Sequence, residues 1–179
     1  MILTGPAIAA AVADGDIVID PYDPARISPN AYDWRLGDTL RICSGRLDAA
    51  APTTFTESPI PDEGLLLHPE VLYLGLTQER TGSERYAQLL NGNRTTGELG
   101  IWVHVSAPLG HAGHAIRWTL EIQVAKPVRV YAGMTLGKLV FLQTFGAPSS
   151  YQQHGLKYAR TDGIDISRLY EELPAGGPR

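Results

Sequence analysis

The sequence predicts a single, mainly β domain that begins with one short helix. The chain has 179 residues, of which 19 are glycine and 13 are proline, and this density of breakers favours many short strands over long helices. Hydrophobic residues make up 44% and charged residues 19% of the chain, which indicates a folded domain and not a disordered segment. A chain of this length suits one hydrophobic core. We therefore treat 1–179 as one domain.

The helix signal lies at the start of the chain. Thr4 precedes Pro6, and the hydrophobic residues Ile8 and Val12 follow at helical spacing before Gly15. This pattern predicts a short helix with Thr4 as the N-cap, Pro6 in the first turn and Gly15 as the stop.

Strands account for most of the rest. Leu72, Leu74 and Leu76 alternate with Tyr73 and Gly75, which is the period of a half-buried strand. The other predicted strands are 17–19, 101–105, 118–124, 127–131 and 136–141, with 86–90 as either a strand or a turn of helix. Residues 44–64 lack periodicity and are predicted to be a long loop excursion. Residues 149–179 form a polar tail with a short helix at 167–173.

Charge and composition exclude several classes of function. The net charge is −4 and the isoelectric point is near 5.7, which argues against a nucleic-acid partner but is compatible with a phosphate-bearing small molecule. No apolar run is long enough for a membrane span, and the first residues lack the pattern of a secretory signal. Cys43 is the single cysteine, so no intrachain disulfide forms. We expect a cytoplasmic protein with no membrane partner.

Common catalytic motifs are also missing. The sequence has no Gly-rich phosphate loop followed by Lys-Ser/Thr, no GxGxxG and no GxSxG elbow. The zinc deaminase signature requires a Pro-Cys-x-x-Cys segment, which a chain with one cysteine does not contain.

Three histidines fall close together in the sequence. His104, His111 and His114 lie within eleven residues of one another, and Glu121 follows shortly after. These four side chains have the types of a mixed nitrogen and oxygen metal site. The alternative, which we favour, places His104 in a sheet and the other two in a solvated loop, because the spacing matches no zinc motif. We therefore predict no metal site.

Glu121 lies within an apolar strand. Alternation places Thr119, Glu121 and Gln123 on one face and Leu120 and Ile122 on the other. An unpaired carboxylate is costly in apolar surroundings, so this polar face lies against solvent, a subunit interface or a cavity. In a cavity, a half-buried glutamate with a raised pKa is suited to general acid/base catalysis.

Segments along nearly the whole chain resemble the dCTP deaminase family of the dUTPase-like superfamily. They include the opening 1–4 with 15–21, the run Asp33-Trp34-Arg35-Leu36-Gly37, and 67–69 with 74–77. Further segments are 100–105, 119–121, 132–139 and, in the tail, 157–158 with 167–168.

This resemblance implies a distorted β-barrel of the dUTPase-like type, assembled as a homotrimer with active sites between subunits. It implies deamination of a cytosine nucleotide without zinc, in which Glu121 activates the water that attacks C4. The chemistry then needs no cofactor, and Mg²⁺ only accompanies the nucleotide phosphates. His104 and Thr119 are expected to contact the substrate, and the tail 149–179 to close the site.

The chain departs from the family in the segment that holds phosphate, which in the family runs Gly-Arg-Ser-Ser-x-x-Arg-Leu-Gly. In this chain Asn93 replaces the first arginine, Arg94 and Thr95 replace the serines, and Glu98 replaces the second arginine. These four positions stay candidate substrate contacts, with fewer cations for phosphate. In the tail, Tyr151 and Lys157 match the family's hydroxyl and basic phosphate contacts, and the candidate contact Thr161 replaces the family's glutamine.

A second departure concerns the sugar. The family's Ile-Asp-Pro-Gly turn reads Gly110-His111-Ala112-Gly113, so His111 replaces the aspartate that contacts the sugar. The preferred interpretation is a cytosine nucleotide deaminase with altered nucleotide specificity. The alternative is a non-catalytic nucleotide-binding or regulatory homologue of the same fold. A dUTP pyrophosphatase is the weakest interpretation, because that activity uses an aspartate in this region.

Overall fold

The computed structural model describes residues 1–43, 45–146, 158 and 163–173, and it confirms the mainly β prediction. The helices within the described residues are α1 (Gly5–Ala13) and α2 (Arg94–Glu98), with 3₁₀ turns at Pro24–Arg26 and Leu169–Glu171. The strands are β1 (Val18–Asp20), β2 (Ile27–Ser28), β3 (Ala31–Cys43), β4 (Phe55–Pro59), β5 (Leu65–Leu67), β6 (Tyr73–Ser83), β7 (Tyr86–Gly92), β8 (Ile101–Trp102), β9 (Leu109–Gly110), β10 (His114–Val124), β11 (Val128–Val130) and β12 (Thr135–Gln143).

Helix α1 begins and ends where the sequence predicts. Thr4 occupies the N-cap in an extended conformation, although its side chain makes no capping hydrogen bond. Pro6 lies in the first turn, where its missing N–H costs nothing. Gly15 follows the helix with a φ of 79°, a conformation that glycine adopts without strain. Ile8 is fully buried and anchors the helix to the core.

Ten strands form one antiparallel sheet. Its main order is β8-β10-β6-β3-β12-β7-β9, with β1 on β6 and both β2 and β4 on β3, while β5 and β11 form a separate pair. The long strand β3 changes partner along its length: residues 32–35 pair with β12 and residues 36–42 pair with β6. The sheet therefore bends at β3, and its concave side encloses the core. The largest fully buried side chains include Trp34, Tyr32, Phe141, Leu36, Leu90 and Leu120.

The structure corrects two predicted elements. The loop excursion predicted for 44–64 contains β4, whose residues Phe55–Pro59 pair with Thr39–Cys43 of β3. The strand predicted for 101–105 is limited to Ile101–Trp102, and the chain then leaves the sheet. The ambiguous segment 86–90 lies within strand β7.

The pairing of β10 with β6 is interrupted at Trp118. Arg117 lies opposite Arg80, whereas Thr119 lies opposite Leu76. Strand β6 therefore advances four residues where β10 advances two, and it bulges around Trp118. Glu121 lies three residues beyond this bulge. None of the helices in the described part of the chain is long and apolar enough to cross a membrane.

Candidate active site

A cavity of about 760 Å³ lies beside β10. Its volume is in the range of small-molecule sites. The wall brings together β10, the segment 104–111, part of the loop before β4, and the described tail residues around 165–169. Among the predicted site residues, Glu121, His104, His111 and Thr119 all line this cavity.

Glu121 projects from β10 into the cavity, and its side chain is 30% exposed. Its Oε2 atom accepts a hydrogen bond of 3.0 Å from the main-chain N–H of Val105. The Nδ1 atom of His104 lies 3.6 Å from the same oxygen, slightly beyond hydrogen-bond distance. The chain leaves the sheet after Trp102, and this departure places His104 and Val105 against the carboxylate.

The direction of the Glu121 pKa differs from the prediction. The nearby His104 side chain lowers this pKa most, and the N–H groups of Val105 and Ser106 lower it further. Burial acts in the opposite direction but does not dominate. The expected raised pKa is therefore wrong for the free protein, because donors stabilise the charged form of the carboxylate. The Glu121 carboxylate is therefore ionised at neutral pH.

His104 is the most buried of the polar groups next to Glu121. Its side chain is 8% exposed, and neither ring nitrogen has a hydrogen-bond partner among the described residues. Its ring meets the indole of Trp118 edge-on, with 6.1 Å between centroids and an interplanar angle of 84°. A buried ring without partners is costly, so these nitrogens are suited to a water molecule or a polar group of a ligand.

Thr119 and His111 lie on other parts of the cavity wall. The hydroxyl of Thr119 accepts a 3.0 Å hydrogen bond from the N–H of Asp165, which attaches the tail to β10. Arg41 donates to the carbonyl of the preceding residue, Ile164, at 2.7 Å. Both contacts hold the described tail residues over the cavity. Closure by the whole segment 149–179 stays a prediction, and Tyr151, Lys157 and Thr161 lie outside the described residues.

The segment predicted to hold phosphate lies outside the cavity of its own chain. The Asn93 side chain caps α2 and accepts hydrogen bonds from the N–H of Thr96 and the hydroxyl of Thr95. Arg94 and Glu98 pair one turn apart, with 2.8 Å between Nε and Oε1. The role of these residues in binding stays a prediction, and it requires a contribution from another subunit.

The arrangement of the described side chains does not support the alternative of a metal site. Within the described ranges, no three side chains of histidine, cysteine, aspartate or glutamate gather as a metal site. His104 and Glu121 lie 3.6 Å apart on a cavity wall that His111 and His114 also line. Burial lowers the pKa of His114, and its electrostatic interaction with His111 lowers that pKa further.

Trp118 lines the cavity as well, although none of the predicted site residues is a tryptophan. The alternation of β10 predicts that Trp118 faces the opposite side from Glu121. The bulge brings the three successive residues Arg117, Trp118 and Thr119 to the wall. An isolated strand pattern carries no signal for such a bulge, because the extra residues belong to the neighbouring strand.

Comparison with known proteins gives the family. A model described as dCTP deaminase-like matches residues 2–144. The chain belongs to the dCTP deaminase-like family. A dCTP deaminase of Rhodopirellula baltica is 38% identical over 97% of this chain and 86% of its own length. A dUMP-forming dCTP deaminase of Cytophaga hutchinsonii is 40% identical over 97% of this chain and 99% of its own length.

A solved structure supports the fold of this dCTP deaminase-like chain. The 2'-deoxycytidine 5'-triphosphate deaminase from Agrobacterium tumefaciens superimposes with a TM-score of 0.63 at 22% identity. The match covers 78% of this chain and 47% of the other, so this chain spans about half the length of that protein. The predicted fold, a mainly β structure of the dUTPase-like type with a short N-terminal helix, is confirmed.

Proposed function

We propose that the protein is a nucleotide deaminase that removes the 4-amino group of a cytosine nucleotide by hydrolysis and gives the uracil nucleotide and ammonia. The observation that carries the proposal is the Glu121 carboxylate, held ionised inside a cavity of ligand size. The relatives that are similar over 97% of the chain are named dCTP deaminases, which supports the same class of substrate.

The geometry suits a carboxylate that moves protons in both directions. In the first step, ionised Glu121 accepts a proton from a water molecule while the water oxygen forms a bond to C4 of the base. Protonated Glu121 then donates that proton to N3, which gives a tetrahedral centre. In the second step, Glu121 moves the proton of the new hydroxyl to the amino group. The C4–N bond breaks, and ammonia leaves as the C4 carbonyl forms.

Other groups of the wall support these steps. The unpartnered nitrogens of His104 lie next to Glu121 and provide a place for the water or for a polar edge of the base. Backbone donation from Val105 fixes the carboxylate, so that it needs little reorganisation during proton transfer. The chemistry uses no cofactor in this proposal, and Mg²⁺ only accompanies the phosphates of the substrate.

The phosphate preference of the enzyme is proposed to differ from that of a dCTP deaminase with two arginines in the phosphate segment. Arg94 is paired with Glu98, and Asn93 caps a helix. Each charged hydrogen bond to a phosphate contributes about 1.5–3 kcal/mol, so this segment offers less binding energy to a triphosphate. A nucleotide with fewer phosphates loses less binding energy from these changes.

A homotrimer with active sites between subunits is part of this proposal. Four large apolar side chains lie exposed near α2 and the cavity mouth. Their exposed fractions are 53%, 55%, 57% and 52% for Leu99, Trp102, Val105 and Leu109. Exposed apolar side chains of this size favour association. In such an assembly, Asn93–Glu98 of one subunit meets the cavity of its neighbour.

The test of the proposed activity is ammonia release from dCTP, dCMP, CTP and CMP, with pyrophosphate release from dUTP measured in parallel. We expect turnover of at least one cytosine nucleotide and none of dUTP. If no cytosine nucleotide releases ammonia but nucleotides bind tightly, the result would instead support a non-catalytic regulatory homologue. The changed segment 93–98 gives that second function its support.

The test of assembly is the mass of the protein in solution by light scattering. We expect three subunits for the unaltered protein and a smaller species for Trp102→Glu, because a charge at the centre of an apolar interface is costly. Thr56→Glu, at an exposed position of strand β4, is the matched control. A monomeric unaltered protein with full activity would contradict the shared site.

A further inference from the structure

Strand β6 holds Trp118 through two buried threonines. The main-chain N–H of Trp118 donates to the hydroxyl of Thr77 at 2.9 Å, and its indole Nε1–H donates to the hydroxyl of Thr81 at 2.9 Å. Both threonines are 1% exposed. Each hydroxyl therefore takes the place of water for a donor that has lost its solvent.

The bulge of β6, which contains Thr77 and lies next to Thr81, is held in place by further hydrogen bonds. Thr77 donates its own hydroxyl proton to the carbonyl of Glu79 at 2.8 Å, which leaves the lone pairs of its oxygen for Trp118. The Glu79 carboxylate is completely buried and accepts hydrogen bonds from Arg35 Nε at 2.6 Å and from Arg35 N at 2.8 Å. Strand β3 thus fixes the bulge of β6 from the side away from Trp118.

The position of Glu121 along the sheet depends on this bulge. Beyond it, Glu121 lies opposite Leu74. Without the two extra residues of β6, the register before the bulge would continue and place Glu121 opposite Leu76. A shift of two residues moves a side chain by about 7 Å along a strand. Such a displacement would move Glu121 relative to β6, although its main-chain hydrogen bond to Val103 at 3.0 Å also holds it beside the segment that carries His104.

The indole also sets the surroundings of His104. Trp118 packs so closely on Gly110 that a Cβ at that glycine would lie 2.4 Å from the ring. On another side the indole meets the ring of His104 edge-on. A rotation of the indole therefore displaces His104, whose Nδ1 atom lies 3.6 Å from the catalytic carboxylate.

We propose that Thr81, together with Thr77, is a positioning residue for the deaminase: by clamping Trp118 it holds Glu121 and His104 in the arrangement that accepts a proton. The proposal rests on the assignment of Glu121 as the general base. The threonines themselves touch neither the substrate nor the reacting atoms. Their effect passes through the indole and the bulge.

The decisive measurement is the ionisation of Glu121 by ¹³C carboxyl NMR, which needs no substrate. In the unaltered protein we expect the pKa of Glu121 below the ordinary glutamate value of about 4.3. In Thr81→Val, which keeps the shape but removes the acceptor, we expect that pKa to rise as His104 moves away. Thr81→Ser should restore the low value. The other titratable groups on the cavity wall are Asp48, His111, His114, Arg117, Tyr158 and Asp165.

Kinetics on the active nucleotide provide the second readout. We expect Thr81→Val to lower kcat about tenfold or more, since small displacements of reacting groups cost that much, and to change KM far less. Thr135→Val is the matched control, because it removes a hydroxyl that accepts from Arg26 at 3.0 Å. A folded Thr81→Val protein with unchanged kcat and unchanged Glu121 pKa would overturn the proposal.

A second variant keeps the test decisive if Thr81→Val does not fold. Trp118→Phe removes the indole donor and leaves Thr81 in place, and the pKa of Glu121 should rise in the same direction. An unchanged pKa in Trp118→Phe would overturn the clamp. If the unaltered protein shows the low pKa but deaminates nothing, the proposed function fails while the positioning role is still measured.

Discussion

Two regions that the family resemblance assigns to one substrate use their polar groups differently. The Glu121 carboxylate lies in a cavity, and the buried His104 beside it has no hydrogen-bond partner in the described part of the chain. In α2, Arg94 and Glu98 lie on an exposed surface and pair with each other. Groups without internal partners are available to a ligand, whereas paired groups must first separate. Under the proposed function, this difference favours a reaction centre at Glu121 that is open to a ligand, and weaker binding of phosphate at α2.

The largest effect is expected at the reaction centre. Glu121→Gln keeps the shape of the side chain but cannot accept a proton. General acid/base groups contribute about 10²–10⁴-fold to rates, so we expect ammonia release to fall at least about 10³-fold, with nucleotide affinity by calorimetry changed far less. Glu63→Gln, on an exposed turn, is the control for the substitution itself. An unchanged rate in Glu121→Gln would remove the proposed base.

The next effect concerns the phosphate segment. Asn93→Arg with Glu98→Arg restores the two cations that the family carries there and removes the acid that neutralises Arg94. We expect the Kd for dCTP to fall at least about tenfold, which corresponds to about 1.4 kcal/mol, while the Kd for the unphosphorylated nucleoside stays the same. Asn93→Ala with Glu98→Gln controls for loss of the helix cap. If dCTP affinity does not increase, this segment does not hold phosphate.

The dependence of kcat/KM on pH tests the ionisation of Glu121. Because the pKa of Glu121 is lowered in the free protein, the active carboxylate form persists as the pH falls and is lost only below that pKa. We expect kcat/KM, which reports the free enzyme, to stay level down to about pH 5 after correction for ionisation of the nucleotide. An acidic limb between pH 6 and 7 would show that burial raises the pKa instead.

The smallest effect belongs to the exposed pair itself. Glu98→Gln breaks the contact with Arg94, whose side chain is 91% exposed. Exposed pairs one helical turn apart contribute about 0.3–0.5 kcal/mol, so we expect the free energy of unfolding in urea to fall by no more than that. A larger loss would mean that Glu98 has a structural role that this contact does not explain.

Much of the fold could be predicted because its signals are local. The bounds of α1 follow from Thr4, Pro6 and Gly15, and the alternation around Glu121 places its side chain on the correct face. Strand β4 was missed because Phe55–Pro59 is short and polar. Its place in the sheet depends on pairing with β3, a contact between distant parts of the chain.

The electrostatics of the site could not be predicted for the same reason. Burial of Glu121 can be inferred from its apolar neighbours, and burial alone predicts a raised pKa. His104 reverses that direction, and it does so from seventeen positions earlier in the chain. The contacts of Thr77 and Thr81 with Trp118 could not be predicted either. Threonine is common in strands, and no local pattern shows which hydroxyl contacts an indole.

The edges of the ten-stranded sheet have a consequence for aggregation. The main strand order ends at β8 and β9, each only two residues long, and the side strand β4 carries Glu57 and Pro59. Short, charged or proline-bearing edges offer few unpaired N–H and C=O groups to an incoming strand. In the proposed homotrimer, we therefore expect copies of this chain to meet through side chains and not by extending the sheet. Subunits separated by Trp102→Glu should remain dispersed instead of forming cross-β fibres.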